Sequence, residues 1–366
     1  MVYNIPEICS QFKIKGKFID AIPYGEGHIN NTFLVNTTGN RYILQRVNSD
    51  VFSHPEEVMD NIALVTEYLH KKIIAACGDP YRETLTLIPT KAGKHYLITD
   101  DGDLFRMYLF IGSAISYQQV ETPELFYRIA KAFGKFQNML DGFPAEQLKE
   151  TIPNFHNTVS RYENFKKSVS KDAVSRGAEV AKEIQFAMER EKDAGIIMDA
   201  ISDGTVPLRV THNDTKLNNI LVDEATGEGI CVIDLDTVMP GSMLFDFGDS
   251  IRFGASTAAE DEKDLDKVWM DLELFEQYAK GYIEELHSTM TEKELELLPM
   301  SAKLMTLECG IRFLGDYLDG DHYFRIHYPE QNLDRARTQF KLVADMESKM
   351  ETMQSIIKDL YKKIGG

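Results

Sequence analysis

Short runs rich in β-branched and aromatic residues mark the first third of the chain, each bounded by polar or glycine-containing turns. Phe18–Pro23 leads into Tyr24-Gly25-Glu26-Gly27-His28, a run at 31–35 follows, and the polar stretch 36–40 returns the chain into 41–47. Such runs fit a pleated, half-buried surface, so they predict strands. A further hairpin is predicted from 95–98 and 104–110, turning at Asp100-Asp101-Gly102-Asp103. Between the hairpins, Val58, Ile62, Val65 and Leu69 recur on one face of a helix, with Ser53 as candidate N-cap and Pro55 in the first turn. From about Gly112 the period becomes helical, with segments near 123–141, 159–170, 177–202, 272–286, 292–319 and 331–363, broken by one β island at 207–236. A β-rich beginning and a helical remainder predict an α+β protein of two lobes, 1–111 and 112–366, with a cleft between them. In the last helix Phe340, Val343, Met346, Met350, Met353, Ile357 and Leu360 form a stripe. Its seam is short for a coiled coil, so it is read as lying on its own lobe, a monomer rather than a dimer.

At 366 residues the chain exceeds one ordinary core, in keeping with two lobes. A formal net charge of −18, with no large Lys/Arg run, argues against nucleic acid or an anionic membrane as partner. The first 23 residues mix charges among the apolar positions, unlike a signal peptide, and nowhere does an uncharged apolar run approach the roughly 18 residues of a membrane span. Cys9, Cys77, Cys231 and Cys309 are far apart and read as reduced thiols of a cytoplasmic protein.

The chemistry concentrates in the β island. After Pro207-Leu208-Arg209-Val210 comes Thr211-His212-Asn213-Asp214-Thr215-Lys216-Leu217-Asn218-Asn219, with the His-x-Asp-x-x-x-x-Asn spacing of a kinase catalytic loop. Phosphoryl transfer needs a carboxylate beside the attacking hydroxyl and oxygen ligands for magnesium beyond it. The four residues between Asp214 and Asn219 carry the chain from one role to the other. Downstream, Ile220–Asp223 and 230–233 flank the turn 224–229, a hairpin signature. Symmetric pairing would set Ile220 opposite Ile233 and bring Asn219 and Asp234 out side by side, suited to sharing a hard cation. Asp246-Phe247-Gly248 matches a kinase metal motif literally, yet it is not the end of this hairpin. Asp246 is therefore read as a brace accepting backbone N–H bonds, and Asp234 as the metal ligand. Gly25 and Gly27 could let backbone N–H groups approach phosphate oxygens, although Asn30 stands where a third glycine would be expected.

These residues resemble the aminoglycoside phosphotransferase and choline kinase superfamily, and more closely the bacterial N-acetylhexosamine 1-kinases. The stretch 208–257 carries the most specific likeness, supported by Tyr24-Gly25-Glu26-Gly27-His28-Ile29-Asn30 and by Leu307-Glu308-Cys309-Gly310-Ile311-Arg312-Phe313-Leu314. The resemblance implies a protein-kinase-like bilobed fold, with a small β-rich N-terminal lobe and a larger helical C-terminal lobe. It implies transfer of the ATP γ-phosphoryl group, with Mg2+, to the anomeric hydroxyl of an N-acetylhexosamine. Asp214 would be the base, Lys216 would meet the transferring group, Asn219 and Asp234 would bind magnesium, and His212 and Asp246 would brace the loop. The sugar would lie against His28, Asp214, Thr237, Arg312 and Tyr323. The nucleotide would meet Gly25, Gly27 and Gln45, with adenine along the linker at Tyr108, Leu109 and Ile111. One departure stands out: alternation along Tyr42-Ile43-Leu44-Gln45-Arg46 puts Gln45 where such kinases present a phosphate-binding Lys. Glu57, Asn61 and Glu67 are the possible helix partners of that position.

Overall fold

The apolar runs of the first third pair into one antiparallel sheet. In the computed structural model, which describes residues 3–25, 30–49 and 51–365, the strands are β1 (Phe18–Pro23), β2 (Asn31–Thr37), β3 (Arg41–Arg46), β4 (Leu97–Ile98) and β5 (Leu104–Leu109), in the order β1-β2-β3-β5-β4. They belong to the first of two compact units, made of Met1–Ser116, Gly142–Pro153 and Asn219–Pro240. One face of the sheet is apolar: Val35, Tyr42, Leu44, Phe105 and Met107 pack with Ile8, Cys9 and Phe12 around helix α1 (Ile5–Ser10). The period of two sends their neighbours to the other face, where register sets Thr32 opposite Gln45 and Gln45 opposite Arg106.

Helix α2 (Pro55–Ala75) buries Val58, Ile62, Val65 and Leu69, the stripe read from the sequence. Its N-cap is His54, one residue later than the expected Ser53, because Pro55 itself opens the first turn. A second sheet in this unit joins β6 (Ala114–Ile115), β8 (Ile220–Asp223) and β9 (Gly229–Val232) in the order β6-β8-β9, while β7 (Arg209–Thr211) belongs to the other unit. The short helix α3 (Pro80–Glu83) ties in through Arg82, which donates to Gly112 O at 2.9 Å and pairs with Asp223 at 2.7 Å.

The second unit comprises Tyr117–Asp141, Asn154–Asn218 and Gly241–Gly366. It holds β7 (Arg209–Thr211) and helices α4 (Pro123–Met139), α5 (Thr158–Lys171), α6 (Ala181–Met188), α7 (Ile196–Ser202), α8 (Met243–Gly254), α9 (Leu272–Leu286), α10 (Glu292–Asp319) and α11 (Gln331–Gly365). Five of the six predicted helical segments appear nearly as read. The sixth, 177–202, is broken into α6 and α7: Arg190 turns aside to Glu347, and Asp193 to Lys303 at 2.7 Å. Helix α8 had no counterpart in the sequence reading. Nearly all its residues are buried, so it lacks the polar stripe that reveals a surface helix. The apolar stripe of α11 is buried within the unit, where Phe340 and Val343 join Leu307, Ile311, Leu314 and Tyr317 of α10. Among the described residues no helix is long and apolar enough to cross a membrane. All four cysteines are unpaired, and burial pushes the Cys9 thiol up to about 12 and Cys309 up to about 11.

Candidate active site

In the helical unit, the loop after β7 is held from beneath by α8. Ser242 caps that helix by accepting the Leu244 N–H, which places Asp246 in its first turn. Asp246, only 1% exposed, accepts the backbone N–H of His212 at 3.0 Å and of Asn213 at 2.7 Å, and the Gln137 amide at 2.5 Å. Burial pushes its carboxyl above the usual range, against these hydrogen bonds. One turn on, Asp249 accepts the Thr215 N–H, while the Thr215 hydroxyl donates to the Asp246 carbonyl at 2.6 Å. The His212 ring lies against Phe133 and Phe136, and its Nδ1 accepts the Asp214 N–H at 3.3 Å. Asn213 takes a left-handed backbone, φ +65°, which an Asn tolerates. Backbone and side-chain bonds thus fix the residues around Asp214, whose half-buried carboxylate lies 3.0 Å from Lys216 Nζ. That carboxylate raises the Lys216 pKa, keeping the ammonium charged. A carboxylate with a cation beside it, on a braced loop, can accept a proton next to a developing negative charge.

Farther along the same unit, Arg312 on α10 is not the salt-bridge rung that its spacing from Glu308 and Asp316 allows. Glu308 is engaged by His156 at 2.9 Å and Thr158 at 2.7 Å, and Asp316 accepts the N–H groups of His322, Tyr323 and Phe324. The Arg312 guanidinium instead lies 5.5–5.9 Å from the ring centres of Phe155, Tyr323 and Phe324. Tyr323 is 69% exposed. His156 joins this cluster to the loop, because its Nε2 meets the Asn213 carbonyl at 3.0 Å.

In the sheet-bearing unit the hairpin β8–β9 forms, but not with the symmetric register. Ile220 pairs with Val232, not Ile233, and the register shifts between Leu221 and Val222. The Ile233 N–H donates to the Asn219 carbonyl at 2.9 Å, so Asn219 faces Ile233 and Asp234 follows one residue later. Asp234 has a left-handed backbone, φ +59°, and is exposed. It opens the single turn Leu235–Thr237, which carries Thr237. The second aspartate of this segment behaves differently. Asp236, 4% exposed, is ion-paired with Arg106 and accepts from Asn30 Nδ2 at 2.7 Å.

Gly25 has φ +78° with open space where a Cβ would stand, whereas Gly27 and His28 lie outside the described residues. At the end of β5 the Leu109 N–H already donates to Thr86 O and the Phe110 N–H to Arg41 O, both near 3 Å. Gln45 bonds within the sheet, donating to Thr32 Oγ1 at 3.1 Å and accepting from Arg106 Nε at 2.9 Å. Of the three residues considered as helix partners, Asn61 is the buried one: it donates to the carbonyls of Lys149 and Val238, while Glu67 pairs with exposed Lys71.

The sequence assigned no site role to Arg106, Asp236, Asn30, His156 or Glu308. For Arg106 there was a signal, a charged residue inside the otherwise apolar run Leu104-Phe105-Arg106-Met107. For His156 none stands out. Burial lowers the His156 pKa, but its hydrogen bond and charge interaction with Glu308 outweigh that and leave it raised. A histidine with a raised folded pKa contributes stability that is full below the unfolded value of about 6.5 and is lost as pH rises through the folded value. The stability difference between wild type and His156→Gln is therefore expected to be larger at about pH 6 than at about pH 9, with denaturant unfolding at the two pH values as the measurement. An equal difference at both would mean that His156 is not an ion-pair partner.

The antiparallel sheet, its long helix and the helical unit with a braced His-x-Asp loop define the protein-kinase-like α+β fold. Solved structures share it. An aminoglycoside phosphotransferase from Alicyclobacillus acidocaldarius is 11% identical over 100% of this chain and 98% of its own, with a TM-score of 0.62. Spectinomycin phosphotransferase in complex with ADP and spectinomycin is 13% identical over 93% and 98%, with a TM-score of 0.56. The ethanolamine kinase of Plasmodium vivax is 16% identical over 92% and 84%, with a TM-score of 0.53. At such identities the likeness speaks for the fold. The family model does more: residues 20–286 match the APH phosphotransferase enzyme family, and the chain belongs to that family, whose members phosphorylate small molecules.

Proposed function

We propose that the protein transfers the γ-phosphoryl group of ATP to the anomeric hydroxyl of an N-acetylhexosamine, N-acetylglucosamine or N-acetylgalactosamine, giving the sugar 1-phosphate. The observation that carries the acceptor class is Arg312. A quaternary ammonium needs an aromatic cage around its charge, but among these rings the cation is already the protein's own. A polycationic aminoglycoside needs a wall of carboxylates, whereas here Arg161 lies close enough to Arg312 to feel its charge. A neutral sugar with an acetamide carbonyl suits a planar donor flanked by rings.

In this reading Asp214 takes the anomeric proton as the sugar oxygen bonds to the γ-phosphorus and the bond to the β-phosphate oxygen breaks, releasing ADP. The transition state is loose, so alignment of the hydroxyl matters more than early proton removal. Lys216 donates to the transferring oxygens. His28 and Thr237 complete the sugar contacts with Tyr323. The lobe 1–111 takes the nucleotide through Gly25, Gly27, Gln45 and the linker at Tyr108, Leu109 and Ile111. Among the described residues the Ile111 backbone makes no hydrogen bond, which favours it for the adenine edge over Leu109. Magnesium fits the oxygen donors Asn219 and Asp234, since it needs only one or two carboxylates beside phosphates and water. The engagement of Asp236 by Arg106 and Asn30 supports Asp234 as the ligand. When bound, the ion neutralises phosphate charge.

The test is ATP turnover on a panel of monosaccharides, choline and aminoglycosides, with the phosphorylated carbon assigned by phosphorus–carbon coupling. An N-acetylhexosamine 1-phosphate is expected; a 6-phosphate, or preference for choline or an aminoglycoside, would overturn the acceptor assignment. Arg312→Ala is expected to raise the sugar KM about 3-fold to 100-fold, the loss of one hydrogen bond to a neutral or charged partner, with the ATP KM little changed.

A further inference from the structure

A buried arginine normally has its five N–H donors matched, because taking a charge out of water is costly unless it is paired and hydrogen-bonded. Arg106, 1% exposed on β5, falls short of this. Its Nε donates to Gln45 Oε1 at 2.9 Å and its Nη1 to Asp236 Oδ1, while Nη2 meets no acceptor among the described residues. Two residues along, on the same face of the sheet, the Tyr108 hydroxyl is buried with no hydrogen-bond partner, and the Arg106 guanidinium lies 5.4 Å from its ring centre. A paired cation with one nitrogen still unmatched and a hydroxyl without a partner, side by side in one unit, would both be completed by a further acceptor.

The surroundings say which ligand. Asp234 is close enough for its charge to bear on both Arg106 and Tyr108. Gln45, at the strand position where a kinase of this fold presents a lysine, is neutral and stands directly opposite Arg106 in the β3–β5 ladder. The helix α2 that would carry the lysine's acidic partner instead buries Asn61, bonded to backbone. The expected cation is thus absent from its place, and a buried arginine, ion-paired with Asp236 of the 235–237 turn, lies one strand over on β5.

We propose that Arg106 is the nucleotide-phosphate-binding cation of this protein, oriented by Asp236 and assisted by the Tyr108 hydroxyl, in place of a lysine at Gln45. This deepens the kinase reading and does not depend on which sugar is the acceptor. Asn30, which donates to Asp236 Oδ2 and accepts the Asn48 N–H at 3.0 Å, fixes the anion, so the guanidinium fork is held in one plane before nucleotide arrives. Because Asp236 cancels part of the charge, the site gains less from net positive potential than from directed donors.

The test compares binding of ADP with that of adenosine, which lacks phosphates, by calorimetry without metal. Arg106→Gln alone leaves Asp236 buried and unpaired, so the working variant is Arg106→Gln/Asp236→Asn. Its ADP affinity is expected to fall about 10-fold to 100-fold with adenosine affinity unchanged, the loss of a charge-assisted hydrogen bond. Adding Gln45→Lys should restore part of the ADP affinity by returning a cation across the ladder. Tyr108→Phe removes a hydroxyl that no described residue uses, so it should fold normally and weaken ADP about 2-fold to 10-fold. If Tyr108→Phe and the double variant both keep the wild-type ratio of ADP to adenosine affinity, Arg106 only ties the sheet to the 235–237 turn and the proposal is wrong. A wild-type protein that binds no nucleotide at all would instead count against the kinase reading itself.

Discussion

Asp214→Asn is expected to lower turnover by about 10²-fold to 10⁴-fold while changing the sugar KM much less. The amide keeps the shape of the carboxylate and loses the proton acceptor. The bonds that hold the loop go through the backbone of His212, Asn213 and Thr215 to Asp246 and Asp249, and through Asn213 to His156. The melting temperature should therefore stay near that of the wild type, which separates a chemical defect from a folding one. Lys216 offers a second readout. Its raised pKa owes most to Asp214, so the variant's ammonium should titrate closer to an ordinary lysine. Near-normal turnover in a folded Asp214→Asn protein would remove Asp214 from the mechanism.

What the sequence made legible was local. The spacing from His212 to Asn219, the β8–β9 hairpin and the stripes of α2 and α11 are all written within a few turns of chain. The losses share one cause, that they depend on partners far away. Arg106 and Gln45 are 61 residues apart, and Arg106 and Asp236 are 130 apart, so their meeting requires the ladder between β3 and β5 and the placement of the 235–237 turn. Looking for a lysine along β3 alone could only report a gap. The break between α6 and α7 follows from ion pairs to α10 and α11, and α8 hides because burial on all sides erases the period. Even the hairpin, though recognised, slipped by one residue: the Asp223 N–H donates to the Glu228 carbonyl, so the turn is two residues shorter than expected, and the register shift between Leu221 and Val222 recovers only one of the two.

Asp246→Ala is expected to be the most destabilising single change, on the order of 3–5 kcal/mol. Three donors lose their acceptor at once, the N–H groups of His212 and Asn213 and the amide of Gln137, all in a buried setting. Each stranded buried donor costs about 1–3 kcal/mol, and the costs do not simply add within one network. Asp234→Asn should behave in the opposite way. Asp234 is exposed, and Asn tolerates the same left-handed backbone, so stability should stay within about 0.5 kcal/mol of wild type while magnesium-dependent turnover is lost. The two variants thus divide the two aspartates that sequence motifs alone confuse. Denaturant unfolding and a magnesium titration of activity, run on both proteins, read the division directly. An Asp246→Ala protein as stable as wild type but no longer responsive to magnesium would reverse the assignment, because α8 would then be presenting a metal ligand and not holding the catalytic loop from below.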